Sequence, residues 1–317
     1  MLSVNRSAYL LVRDLIEKAE AYRVKIKKVS GATIIDAGVE ARGGYLAGER
    51  VTEICLGGYG KASVLFKRYG DLTLPTVFVY TDHPTIATLG SQFAGWKIKH
   101  EKYFAMASGP ARALALKPKK LYEKIDYRDE SEVAVLVLET DKIPPEEVIE
   151  NVAGECKVEP EKLYLIVAKT SSLVGSTQIS GRVVETGIHR LSEVGLDPKT
   201  VVYACGSAPI APVHPKSVDA MGMTNDAILY GGVVYLTLEY DDDEELEEIV
   251  KSAPSSSSSM YGEPFLKVFK EAGYDFYKID PKLFAPSTLI VNNLKSGKVL
   301  TAGGINERVL AKSFGFR

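Results

Sequence analysis

The 317-residue chain is poor in the residues that announce a chemistry by themselves. It has three cysteines, Cys55, Cys156 and Cys205, odd in number and far apart. That spacing excludes a disulfide framework and a paired-cysteine metal knuckle, so all three are expected as buried small hydrophobes. The four histidines, His83, His100, His189 and His214, form no HxxxH or HExxH pair, and no metal site is expected. His83 and His214 each precede a proline and read as ordinary loop histidines. No GxSxG elbow anchors a hydrolase triad. No run of about 18 apolar residues is present to form a membrane-spanning helix. A basic excess is missing too: 39 Lys plus Arg face 41 Asp plus Glu, a net charge of -2. That speaks against a protein that wraps nucleic acid through its phosphates. The opening Met-Leu-Ser-Val-Asn-Arg-Ser lacks the order of a signal peptide, and a cytoplasmic location is expected.

What is there is the mix of a folded globular chain, 45% hydrophobic and 25% charged, long enough for one large domain or two ordinary ones. No fixed-period repeat runs through it. Helical spacing over residues 3–21, capped by Ser3, predicts a first helix. Alternation in 23–29 predicts a half-buried strand, with 32–36 as its partner. Strands are also predicted at 62–69 and 76–81, while 97–100 is ambiguous. The run Glu132–Leu138 is nearly all apolar and reads as a fully buried strand. A helix begins at Pro144-Pro145 and a second buried strand covers 162–168, together a βαβ unit. One helix is predicted over 178–194, strands at 201–205, 232–239 and 287–293, and a last helix at 306–313. The acidic run 241–248 suits a helix start on a solvated face. Pro254 and the serines Ser255–Ser259 read as a flexible loop. The fold class is α+β (mixed α/β), with about ten strands and about eight helices. A charged stretch near residue 125 suggests two lobes, 1–125 with 285–317, and 126–284.

The glycine cluster Leu56-Gly-Gly-Tyr-Gly-Lys-Ala-Ser63 fails as a phosphate loop. Cys55 stands where the first P-loop glycine belongs, Ala62 follows Lys61, and Ser63 replaces the third glycine of the dinucleotide pattern. A turn that lets backbone approach something closely remains open. The stretch Ser180-Gly-Arg-Val-Val-Glu-Thr-Gly-Ile-His-Arg190 is richer. On one helix, Arg182, Glu185 and His189 share a polar stripe beside Val184, Ile188 and Leu191. By spacing this is a salt-bridged surface face, with a carboxylate held by an arginine at the lip of a cleft as the functional alternative. Such a Glu would deprotonate a water. Further polar clusters sit among glycines and aromatics: Thr81–Pro84, Ser91–Trp96, Ser108–Arg112, Gly222–Asp226, and Ser255–Ser259 leading into Tyr261–Phe265. Loops hold small molecules with such residues, and turns use them too.

Together these segments resemble the methenyltetrahydromethanopterin cyclohydrolases, one-carbon enzymes of archaea and methylotrophs. The motifs run almost end to end: Ser3-Val-Asn5, Ser91-Gln-x-Ala-Gly-Trp96, Ser108-Gly-Pro-Ala-Arg112, Arg182-Val-Val-Glu-Thr186, Thr224-Asn-Asp-Ala-Ile-Leu-Tyr-Gly231, Pro254-Ser-Ser-Ser257 with Tyr261-Gly262, and Ala302-Gly-Gly-Ile-Asn306. The resemblance implies reversible hydrolysis of a cyclic methenyl cation of tetrahydromethanopterin to the 5-formyl compound, in methanogenesis or its reverse. It implies no metal, nucleotide or prosthetic group, the pterin being the substrate carrier. It also implies a homotrimer, with the ligand cleft between two lobes of mixed sheets. The family's catalytic Glu falls on Glu185 and its arginine on Arg182, which would orient Glu185. Gln92, Trp96, Ser108, Arg112, Asn225, Asp226, Ser255, Ser256 and Ser257 are the candidates for substrate binding. A pterin edge alternates donors and acceptors that side-chain amides and carboxylates can match. Two other readings are a pterin- or folate-dependent formyltransferase and a pterin-binding protein without turnover, for which Glu185 would be dispensable.

Overall fold

The computed structural model describes residues 2–316. In chain order its strands are β1 (Lys25–Val29), β2 (Ala32–Gly38), β3 (Lys61–Tyr69), β4 (Leu72–Thr81), β5 (Trp96–His100), β6 (Tyr103–Ser108), β7 (Ala134–Glu139), β8 (Leu163–Ala168), β9 (Val201–Pro209), β10 (Val233–Leu238), β11 (Thr288–Asn293) and β12 (Val299–Gly303). The first helices are α1 (Val4–Glu17), α2 (Ala19–Tyr22), α3 (Tyr45–Cys55), α4 (Pro84–Ala87), α5 (Arg112–Ala115), α6 (Lys119–Ile125) and α7 (Glu146–Cys156). They are followed by α8 (Leu173–Ser180), α9 (Val183–Glu193), α10 (Ser217–Gly231), α11 (Asp243–Ser252), α12 (Phe265–Glu271) and α13 (Glu307–Phe314). The class is α+β, with two mixed six-stranded sheets.

The chain divides into two compact units, Met1–Ala62 with Thr85–Gln178, and Ser63–Pro84 with Ile179–Arg317. This differs from the division expected near residue 125. The reason is strand pairing: β7 and β8 lie parallel beside β2, which draws 134–168 into the first unit. The C-terminal strand β12 pairs with β11 in the second unit instead of returning to the first.

The first unit's sheet has the order β1-β2-β8-β7-β6-β5. Its centre is the expected β7–α7–β8 crossover, and both strands are apolar because helices cover both faces. On one face Ile35, Val135, Val137 and Ile166 pack under α1 and α3, through Val12, Leu15, Val51 and Ile54. On the other, Ile34, Leu136, Leu165 and Val167 pack under α7 through Val148, Ile149 and Val152. The ambiguous segment 97–100 is β5, which closes a hairpin with β6, and Trp96 and Ile98 enter that second layer.

The glycine turn after α3 does bring backbone close to something. Gly57 and Gly58 are left-handed (φ 66 and 73), and side chains there would meet Val4 at 2.6 Å and Ser7 at 2.5 Å. The turn therefore seats α1. Ser3 caps α1 by accepting from the Arg6 amide.

The second unit's sheet has the order β12-β11-β10-β9-β4-β3; β10 and β11 run parallel, while β11–β12, β9–β10 and β4–β9 are antiparallel. Burial alternates along β11 and β12, as expected for strands with one covered face. α9 lies on the covered face. A side chain at Gly187 would meet Val234 at 3.2 Å, so that glycine sets how near the helix comes.

Candidate functional site

The stretch 178–194, expected as one helix, is two. α8 stops at Ser180 and α9 starts at Val183, with Arg182 as its N-cap at φ -84 and ψ 3. The break puts Glu185 in the first turn of α9 rather than mid-helix. A carboxylate there is favoured by the unpaired amides and the dipole of the helix start. Arg182 and Glu185 are only 8% and 6% exposed, so the surface-face reading does not hold. Their stripe is polar and yet inside. Val183, Val184 and Ile188 are fully buried around them, and the Thr186 hydroxyl donates to the Arg182 carbonyl at 3.0 Å. His189 is half-buried. Arg190 is buried and reaches the Ser252 carbonyl at 3.3 Å, which fastens α9 to the end of α11.

In the first unit, Ser91 and Gln92 lie in a π-helical turn, Thr88–Gln92, and both are fully buried. Such turns are uncommon and are frequent at functional sites. Ser91 donates to the Cys55 carbonyl at 2.6 Å and its own carbonyl accepts from Gly109 N at 2.9 Å. Ser108 is buried beside Cys55, with the two side chains 3.6 Å apart. The fold thus brings Gln92, Ser108 and Arg112 into one cluster. Arg112 is fully buried, and its guanidinium donates to the carbonyls of Lys117 (2.8 Å), Ser91 (2.9 Å) and Leu89 (3.3 Å). It also lies over the Phe93 and Tyr122 rings, with its guanidinium carbon 5.2 and 5.5 Å from the ring centroids. Such a group braces the π-turn from within. Trp96 is 7% exposed and belongs to the core layer under α7.

In the second unit, Asn225 and Asp226 sit side by side on α10 with different fates. Asn225 is half-buried, and its amide nitrogen donates to the Met221 carbonyl at 2.8 Å. Asp226 is fully buried. One carboxylate oxygen accepts from Phe265 N at 2.8 Å and the other from the Ser313 hydroxyl at 2.6 Å. Both Asp226 oxygens are thus engaged inside the unit. The serine run is not a loose loop. Ser255–Ser257 form a 3-10 turn, Ser255 is buried with its hydroxyl on the Leu229 carbonyl, and Ser258 donates to Asp280 at 2.7 Å. Ser256 is exposed, and the Ser257 hydroxyl oxygen is buried with no hydrogen-bond partner. Tyr230 ties this run to α10, donating to the Glu263 carbonyl, with its ring tilted against that of Tyr261 at a centroid distance of 5.1 Å.

Cys55 and Cys156 are buried, whereas Cys205 is exposed on β9, where alternation turns it away from α9. Among the described residues no three His, Cys, Asp or Glu side chains gather as a metal site would require. No helix among them is long and apolar enough to cross a membrane. One internal network was not legible in the sequence. Asn5, in the first motif, donates to Asp129 at 2.7 Å and accepts from Val135 N at 3.0 Å, 124 and 130 residues away.

A family model described as Cyclohydrolase (MCH) matches residues 3–314. The chain is 50% identical to the methenyltetrahydromethanopterin cyclohydrolase of Methanocaldococcus jannaschii, covering 100% of this chain and 99% of that one. It is 49% identical to the enzyme of that name from Methanothermobacter marburgensis, over 99% of this chain and 100% of the other. For the one from Methanococcoides burtonii the identity is 47%, over 100% and 99%. With the match running unbroken from the first helix to the last, the chain belongs to the MCH cyclohydrolase family.

Proposed function

We propose that this protein is a cytoplasmic cyclohydrolase that reversibly hydrolyses 5,10-methenyltetrahydromethanopterin to 5-formyltetrahydromethanopterin. The reading is supported by full-length similarity to relatives named for that reaction, together with a buried carboxylate at the start of α9 beside a buried arginine. The methenyl carbon lies between two nitrogens that share one positive charge, so it is already electrophilic. The protein has to deliver a water and move its protons. Glu185 takes a proton as the water oxygen bonds to that carbon. It then returns a proton to the nitrogen whose bond to the carbon breaks. The neutral formyl product and one net proton leave. An ionised Glu185 also attracts the substrate cation, more strongly in a dry site than in water. Arg182 holds the carboxylate in place and offsets the cost of burying its charge.

Gln92, Trp96, Asn225, Ser256 and Ser257 are the proposed contacts to the pterin. Ser108, Arg112 and Ser255 are proposed to shape the site, their polar side-chain atoms being engaged with Cys55, with backbone carbonyls of 89–117 and with the Leu229 carbonyl. The test is an absorbance assay of purified protein with the methenyl compound near neutral pH. Protein-dependent loss of the cation's near-ultraviolet band supports the reading; bound cofactor with no decay overturns it. The proposed assembly is a homotrimer. Light scattering should give three times the 34.5 kDa chain mass, and a single-chain mass would refute it.

A further inference from the structure

A cavity of about 450 Å³ opens in the second unit between α10, α12 and α13, apart from the residues proposed for catalysis. Its apolar wall is Gly222, Met223, Pro264 and Leu266. Lys267, Lys270, Lys312, Asp219, Glu271 and Ser313 complete its lining. Lys267 and Lys312 both pair with Glu263, at 3.2 and 2.7 Å. Lys270 is exposed on the last turn of α12 and makes no ion pair among the described residues. Behind Ser313 stands the buried Asp226, whose two oxygens accept from the Ser313 hydroxyl and from Phe265 N.

This geometry permits two states. With Asp226 ionised, Ser313 must donate to it, and the cavity meets only the lone pairs of that hydroxyl. With Asp226 protonated on the Ser313 side, its O–H donates to Ser313. The serine proton then turns into the cavity, next to the lysines. We propose that the cavity is a proton-linked binding site for a small organic carboxylate with an apolar body. The body packs on Met223 and Leu266. The carboxylate meets Lys270 and the Ser313 hydroxyl, and binding takes up a proton at Asp226.

The charged and titratable groups on the three helices that meet here are Asp219 and Tyr230 on α10, Glu263, Lys267, Lys270 and Glu271 on or before α12, and Glu307, Arg308 and Lys312 on α13, and none of the cations among them pairs with Asp226. No histidine is among them. Burial pushes the Asp226 carboxyl up to about 7, against the two hydrogen bonds that favour its charged form, so the exchange falls near neutral pH.

The test is calorimetric titration of the full-length protein with phenylacetate, with 2-phenylethanol as the uncharged control, at pH 6 and pH 8. Near a pKa of about 7, roughly ten-elevenths of Asp226 is protonated at pH 6 and one-eleventh at pH 8. Phenylacetate is therefore expected to bind up to about tenfold more tightly at pH 6, and the alcohol not to show that difference. Asp226→Asn keeps an acceptor for Phe265 N and a donor for Ser313. It should bind alike at both values, as tightly as the unaltered protein at pH 6. Ser313→Ala, at a half-buried position, should bind weakly at both. Circular dichroism would confirm that each variant is folded. The proposal is overturned if the unaltered protein does not bind phenylacetate at pH 6, if it binds equally at both values, or if Asp226→Asn keeps the tenfold difference.

Discussion

Two buried arginines show how one residue type serves chemistry and structure. Arg182 caps the helix that carries Glu185, whereas Arg112 spends its guanidinium on three backbone carbonyls. The distinction predicts different phenotypes. Glu185→Gln should fold normally and lose roughly 100- to 10,000-fold in kcat, the usual span for a general base. Near-normal turnover would remove Glu185 from the mechanism. Arg112→Met should instead fail as a folded protein before it fails as a catalyst. It removes the guanidinium from the Lys117 and Leu89 carbonyls and one of two donors from the Ser91 carbonyl, which keeps Gly109 N, at about 1–3 kcal/mol for each buried group left unsatisfied before relaxation. Denaturant unfolding should show a loss of about 3 kcal/mol or more, and an unchanged midpoint would show that the brace is dispensable. The motif around Arg112 could be recognised in the sequence, but its role could not. That role depends on a π-turn 20 residues away along the chain, a local geometry that no spacing rule encodes.

Elements were legible where one periodicity dominated. β7 and β8 stood out as apolar runs bounded by charge and proline, because both of their faces are covered. The break between α8 and α9 did not stand out. Apolar spacing continues across Gly181 and Arg182, and only the three-dimensional site requires the second helix to begin there. The serine run misled for the opposite reason. Its composition is that of a linker, yet Ser255 and Ser258 find partners 26 and 22 residues away. The Gly57-Gly58 turn offers a test at this scale. Gly57→Ala forces a side chain into a left-handed position and against Val4, 2.6 Å from its Cβ. The conformation alone costs about 1–2 kcal/mol and the overpacking about 1–3 kcal/mol. A thermal midpoint lowered by several degrees is expected, with early hydrogen exchange in α1. If α1 stayed fully protected, the turn would not be what seats it.

For the whole molecule, pH sets a balance between two kinds of carboxylate. Asp14 is held below its usual range chiefly by its hydrogen bond with Lys18, and Glu263 chiefly by its hydrogen bond with Lys312. Groups of that kind stabilise the fold above the ordinary carboxylate range, and the benefit is lost as pH falls through it. Both are surface groups, so each contributes little. Asp226 runs the other way. Burial raises it from 3.8 to about 7, so between those values the folded chain binds the proton more strongly than the unfolded one. Stability from this group is full below about pH 4, falls as pH rises toward 7, and is constant above. Three pH units correspond to about 4 kcal/mol, an upper bound because the site can relax. Asp226→Asn removes the slope while leaving an acceptor for Phe265 N and a donor for Ser313. Urea unfolding at pH 5 and pH 8 should therefore show the variant gaining on the unaltered protein by about 1–3 kcal/mol between the two conditions. The gain arises because ionising a carboxyl that no cation faces is what the native state resists. If both proteins changed in parallel with pH, Asp226 would be ionised throughout, and the two-state hydroxyl of Ser313 would have no proton to respond to.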